Sequence, residues 1–134
     1  MVLVGQSIGC SPALTLAQRG YGSKLVLISP FSTLSEMATE SFPVLRSLGP
    51  LLSFFLRDSL DNMAAAPCVT IPTLILHGTV DEVVPFSHGE RLAGKFPRGT
   101  CQFEAMEGAG HNDIFDGNRL EKVTGRVVDF STEG

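Results

Sequence analysis

Runs of positive charge are missing from this chain. Lysine and arginine total 10 against 14 aspartate and glutamate, for a formal net charge of −4. No basic cluster is present to neutralise the phosphates of a nucleic acid, which argues against a polyanionic partner. Cysteine is scarce. Cys10, Cys68 and Cys101 are odd in number, widely spaced and without a C-x-x-C pair, so neither a disulfide framework nor a zinc site is expected, and a reducing compartment is the plain expectation. A long apolar run is missing too. Leu48 to Leu56 is the longest, is broken by Gly49 and Pro50, and falls well short of the roughly 18 residues a spanning helix needs. Met1 leads straight into Val-Leu-Val-Gly, without the charged leader or cleavage site of a signal peptide. Internal repeats, linkers and low-complexity stretches are not seen either. What remains is 134 residues, 43% hydrophobic and 18% charged, which suits one globular core.

Apolar runs bounded by glycine and proline organise that core. Residues 1–4, then Lys24 to Ser29, Thr73 to His77 and Thr100 to Met106 read as strands, the first three buried on both faces. Helices are predicted over Ile8 to Arg19, stopped by Gly20, over Pro85 to Lys95 with Pro85 in the first turn, and over Gly117 to Phe130. In the last of these, Leu120, Val123, Val127, Val128 and Phe130 recur at helical spacing. Residues 31–66 hold short helical patterns broken by prolines and read as an insertion over one sheet edge. Strand and helix alternate, so the expected class is α/β, a mostly parallel sheet with helices on both faces.

Gly5-Gln6-Ser7-Ile8-Gly9 matches G-x-S-x-G at a strand-to-helix junction. A nucleophile there sits on a sharp, strained turn with its hydroxyl raised above the sheet. Glycines on either side allow strand and helix to approach closely. The Ile8 N–H, near the positive end of the helix, points to where a developing oxyanion would lie. Read alone, the motif also fits a tight turn with an N-capping serine. Two further loops bear on it: His77 to Pro85 after the third strand, and Glu107 to Asp113 after the fourth. Both follow carboxyl ends of strands, where open α/β sheets place their sites. A serine hydroxyl needs a base, for which His111 is the candidate, and the imidazole needs an acid, for which Asp81 is the candidate and neighbouring Glu82 an alternative.

The stretches LVGQSIGCSPAL, LVLISPFSTL, IPTLILHGTVDEVVPFSHGERL and EGAGHNDIF resemble the C-terminal half of an α/β-hydrolase. They are closest to the serine hydrolases related to protein-depalmitoylating, or serine-aminopeptidase-like, enzymes. That resemblance covers nearly the whole chain. It implies Ser7 as nucleophile, Asp81 as acid, His111 as base and the Ile8 N–H as oxyanion donor. It also implies hydrolysis of an ester or thioester, an acyl thioester on protein cysteine above all, without metal or organic cofactor. Expected partners are a small-molecule or acylated-protein substrate, with cytoplasmic or peripheral membrane placement. The family carries strands before its nucleophile strand, and a loop with a second oxyanion donor, that this sequence does not contain. Residues 1–4 should therefore form an open apolar edge, and the chain reads as one incomplete domain. A peptidase acting on N-terminal residues, and a non-catalytic remnant that binds through that edge, are the alternatives.

Other residues carry plainer expectations. His77 reads as a hydrogen-bonded structural histidine, His88 as exposed, Cys10 as a small packed residue rather than an acylated or redox thiol, and Asp113 and Asp116 as loop-shaping or capping groups. Within the insertion, Phe54 and Phe55 are the candidate acyl-chain contacts of a lid, against a reading of ordinary helix packing.

Overall fold

The computed structural model describes residues 1–41, 47, 50 and 60–134. Four strands, β1 (Val2–Gln6), β2 (Lys24–Ile28), β3 (Thr73–Gly78) and β4 (Cys101–Met106), form one parallel sheet in the order β1-β2-β3-β4. Around it lie α1 (Cys10–Gln18), α2 (Leu34–Ser41), α3 (Asn62–Ala65), α4 (Phe86–Ala93) and α5 (Asn118–Thr132). This is the parallel α/β arrangement expected, with each strand within two residues of its predicted bounds.

The apolar runs work as two-faced strands. Leu25 and Leu27 pack on one face with Leu14, Ile75 and Leu92, beneath α1 and α4. Val26 and Ile28 pack on the other with Leu74, Leu76, Val123 and Phe130, beneath α5. Adjacent residues of one strand thus enter opposite cores, which is why β2 and β3 read as unbroken hydrophobic runs. β1 departs from this. Leu3 is buried against α1, whereas Val4, on the opposite face, is 55% exposed. The first strand is the open apolar edge expected, but it is not covered on both faces as its apolar run had suggested, because no described element packs over Val4.

Two helices differ in detail from their predicted forms. A 3₁₀ turn over Ser7–Gly9 intervenes before α1 starts at Cys10, and Pro85 is the N-cap of α4 rather than its first residue. Gly20, at φ +86°, ends α1 in the left-handed conformation. Of the apolar residues of α5, Val123 and Phe130 are buried, while Leu120 and Val128 stay exposed.

The middle of the predicted insertion, including Phe54 and Phe55, lies outside the described residues. Its two ends meet. Thr33 and Asp61 form an antiparallel bridge, and buried Asn62 donates its backbone N–H to Ser32 O (3.1 Å) and its amide to Phe31 O (2.8 Å) while accepting from Ser11 of α1 (2.8 Å). The segment leaves and rejoins the fold at one hydrogen-bonded neck. No described helix is long and apolar enough to cross a membrane.

Candidate active site

The strand register fixes one rim. Gln6 pairs with Ile28, Ile28 with Leu76, and Gly78 with Met106. Ser7 follows directly on β1, and the loops bearing Asp81 and His111 follow β3 and β4, so all three candidates rise from the same carboxyl end of the sheet.

At the elbow, Ser7 takes φ 51°, a conformation that costs a non-glycine residue of order 1 kcal/mol or more and persists only where the surroundings enforce it. Ser29, at the neighbouring end of β2, does the same with φ 55°. Gly5 has a clear steric role: a Cβ there would lie 2.6 Å from Gly9 O and 2.8 Å from Cys10 Cα. Gly9 does not share it, because a Cβ there meets nothing within 4 Å among the described residues. No side chain caps the start of the 3₁₀ turn or of α1. Ile8 lies in that turn with its side chain 62% exposed. Cys10 is fully buried, its Sγ 3.5 Å from Ile28 O. Burial pushes the thiol up to about 12, so it packs as a neutral group and does not supply a thiolate.

The acid loop is built around Asp81. Its Oδ1 accepts the N–H groups of Val83 (2.9 Å) and Val84 (2.7 Å), the local turn that aspartate favours. Its Oδ2 lies 2.8 Å from His111 Nδ1, with the carboxylate wholly buried and the imidazole 11% exposed. The two loops are zipped together: Thr79 N–H donates to Met106 O, Val80 N–H to Ala109 O, and Gly108 N–H to the Thr79 hydroxyl. Gly78 permits this approach, since a Cβ there would stand 2.8 Å from Ala109 C. Asp113 shapes the second loop, accepting from Gly110 N–H (2.6 Å) and pairing with Arg119 (3.3 Å). Glu82 faces Gly110, so the carboxylate on His111 is that of Asp81.

The structure therefore joins Asp81 to His111. It does not join His111 to Ser7: among the described residues, neither His111 Nε2 nor Ser7 Oγ makes a hydrogen bond. Hydrogen bonds of this kind commonly tighten only with substrate bound.

His77 is the hydrogen-bonded structural histidine expected, its Nε2 2.8 Å from Val84 O. His88 is not as expected. It is fully buried, because Ser32 and Glu40 from the distant segment after β2 close over it. Ser32 N–H donates to Nδ1 (3.1 Å), and Nε2 meets Glu40 at 2.8 Å. Glu36, Glu40 and His88 present donor atoms within 4.8 Å of one another, a spacing that would admit a cation. The same atoms are already engaged by Ser32 and by Arg91, which lies 3.1 Å from Glu36 and 3.8 Å from Glu40. They read as a salt-bridged network tying α2 to α4.

Parallel strands whose carboxyl ends carry an elbow serine and a carboxylate-held imidazole are the core of the α/β-hydrolase fold, and this chain is a partial version of it. It is 40% identical over 114 residues to alpha/beta hydrolase domain-containing protein 17C of Xenopus tropicalis, covering 85% of this chain and 34% of that protein. It is 36% identical over 126 residues to alpha/beta hydrolase domain-containing protein 17B of Homo sapiens, covering 92% and 40%. The chain thus spans between a third and two fifths of the length of these curated relatives. No protein-family model matches it. Among solved structures it superposes on MGS-M2, an alpha/beta hydrolase enzyme from a Medee basin deep-sea metagenome library, with TM-score 0.73 at 17% identity over 99% of this chain and 65% of that one. It also superposes on the enol-lactonase of Burkholderia xenovorans LB400, with TM-score 0.69 at 19% identity over 97% and 65%. At such identities the likeness is one of fold.

Proposed function

We propose that the chain carries the catalytic residues of a serine hydrolase that cleaves an ester or thioester through an acyl-enzyme. The observation that carries this is the 2.8 Å contact between His111 Nδ1 and buried Asp81, on the same rim as a serine held at φ 51°. In this reading His111 Nδ1–H donates to Asp81, which leaves Nε2 unprotonated and basic. Ser7 Oγ attacks the carbonyl carbon as its proton passes to Nε2. The tetrahedral oxyanion is met by the Ile8 N–H at the start of the turn into α1. Collapse expels the thiol or alcohol, protonated by His111, and water activated by the same imidazole releases the acid.

The resemblance to the protein-depalmitoylating subgroup favours an acyl thioester on protein cysteine as substrate. Phe54 and Phe55 are then the proposed contacts for the acyl chain. Phe54→Ala and Phe55→Ala should slow long-chain esters more than acetyl esters, and equal loss on both removes that assignment.

A fluorophosphonate probe tests the reaction class directly. It should label Ser7, with labelling lost in Ser7→Ala and weakened in His111→Ala. Folded, soluble protein that is never labelled would overturn the reading in favour of a non-catalytic binding module.

A further inference from the structure

His77 lies at the end of β3 and is fully buried. Its Nε2 faces the carbonyl oxygen of Val84 at 2.8 Å. A carbonyl only accepts, so Nε2 must carry the proton and Nδ1 is a bare lone pair. Nδ1 has no hydrogen-bond partner among the described residues. It is covered by Gly89 of α4, where an added Cβ would overlap it and come within 3.1 Å of the Phe103 ring. Phe86 stands edge-on to the imidazole, ring centres 5.9 Å apart at 86°. The ring is thus seated from behind by a glycine and an aromatic, with its single N–H aimed at one oxygen.

That oxygen belongs to the residue whose N–H holds the acid. Val84 N–H donates to Asp81 Oδ1 at 2.7 Å while Val84 O accepts from His77. Val84 is therefore gripped on both sides, and the turn over residues 81–84 cannot tilt without breaking one bond or the other. Asp81 Oδ2 lies 3.6 Å from His77 Nε2. This is beyond hydrogen-bond range, so Oδ2 remains free for His111. Isosteric packing alone would not need an imidazole. An aliphatic side chain would fill the space and leave Val84 O buried without a donor, a costly omission.

We propose that His77 is a positioning residue for the Asp81–His111 pair, acting through the backbone of Val84, and that Gly89 is the seat that aims its ring. Its consequence for catalysis rests on the serine-hydrolase reading above. The geometric claim does not.

Imidazole ¹H–¹⁵N NMR on the 134-residue chain tests it. Wild type should show His77 as the Nε2–H tautomer with slow exchange, and a low-field His111 Nδ1–H. An Nδ1–H tautomer at His77 would overturn the proposal without any variant. His77→Leu, which keeps bulk but removes the donor, should broaden or abolish the His111 Nδ1–H signal while distant backbone resonances stay in place. His77→Gln, which restores an N–H toward Val84 O, should recover it in part. Gly89→Ala should reproduce His77→Leu, with the double variant no worse than either single one. An unmoved His111 signal in folded His77→Leu would overturn the proposal. Fluorophosphonate labelling should fall about tenfold to a hundredfold in His77→Leu, the scale of a misplaced catalytic group. If the His111 signal responds but wild type is never labelled, the positioning role stands and the hydrolase reading fails. If wild type is labelled and His77→Leu changes neither signal nor rate, the positioning role fails and the hydrolase reading stands.

Discussion

The two outer strands of the sheet are finished differently. On β4, Gln102 and Glu104 point outward and are both taken by Arg126 of α5, at 2.5 and 2.6 Å. The hydrogen bond it donates to Glu104 holds that guanidinium above even its usual range. An edge strand that carries charged and polar side chains resists pairing with another chain. On β1, the outward face offers Val4, which with Ile28, Phe115, Val127 and Val128 lines an open apolar groove. The difference divides the site. Asp81 and His111 belong to the β3–β4 side, where loops and backbone hydrogen bonds already hold them together. Ser7 belongs to the side whose outer face is bare. The Asp81–His111 pair should therefore tolerate insults to β1, and the fold around β1 should tolerate insults to the pair.

Asp81→Asn is the strongest test of that division. It leaves the turn over residues 81–84 able to form, but its amide cannot hold the neutral imidazole with Nδ1 protonated. By the general behaviour of such triads, fluorophosphonate labelling should drop on the order of 10³–10⁴-fold, with the thermal midpoint little moved. A large loss of stability together with a small loss of labelling would reverse the assignment of Asp81 to the chemistry.

Gly5→Ala and Gly9→Ala test the Ser7 side. The first places a methyl 2.6 Å from one backbone atom and 2.8 Å from another, and overpacking against backbone costs about 1–3 kcal/mol. The second meets nothing among the described residues and sits at helical φ and ψ, where Gly→Ala changes stability by less than about 1 kcal/mol and in the favourable direction. Thermal melts of the two should diverge accordingly. The His111 Nδ1–H signal should persist in both while they remain folded, because the acid–base pair is built without β1.

Acid provides a third, smaller probe. Burial holds the His77 pKa below the ordinary value of 6.5, against the opposing pull of Asp81, and protonation would add a buried N–H at Nδ1 with no acceptor. Between the lowered native pKa and 6.5 the unfolded chain binds more protons than the native one. Stability is therefore complete above 6.5 and declines as the pH falls below it. The thermal midpoint should drop in that window, and His77→Gln should flatten this slope.

These contrasts also show what the residue order could reveal. β2 and β3 were legible because runs of four and three consecutive apolar residues, Leu25 to Ile28 and Leu74 to Leu76, bounded by glycine and proline, fit a short strand covered on both faces. The contact between Asp81 and His111 was legible because each follows a strand end, in the chain order that the resemblance implies. The burial of His88 was not legible. Ser-His-Gly at the start of a helix looks solvated, and the residues that cover it, Ser32 and Glu40, lie 56 and 48 positions away in the chain. Gly89 was equally silent, since a glycine inside a helix reads only as a weak helix former, while its reason is a ring on another element. Gly9 erred the other way. Motif symmetry assigned it the packing role that the backbone approach reserves for Gly5. Leu120 and Val128 followed helical spacing yet stay exposed; Val128 does so because it lines the open groove beside Val4 of β1.

Val4→Lys should have the smallest effect on the folded chain and the most direct bearing on the two edges. Val4 is 55% exposed, so a lysine can lay its stem along the groove and keep its ammonium in water. Stability should move by no more than about 0.5 kcal/mol. Self-association should fall, because an inserted charge is how natural sheets protect an outer strand. Sedimentation velocity across a concentration series would read this as a loss of species heavier than the monomer. The reciprocal change, Glu104→Val, removes one partner of Arg126 and should raise association at the β4 edge. If Val4→Lys left association unchanged while Glu104→Val increased it, the apolar face of β1 would be innocuous, and the sheet would owe its solution behaviour to β4 alone.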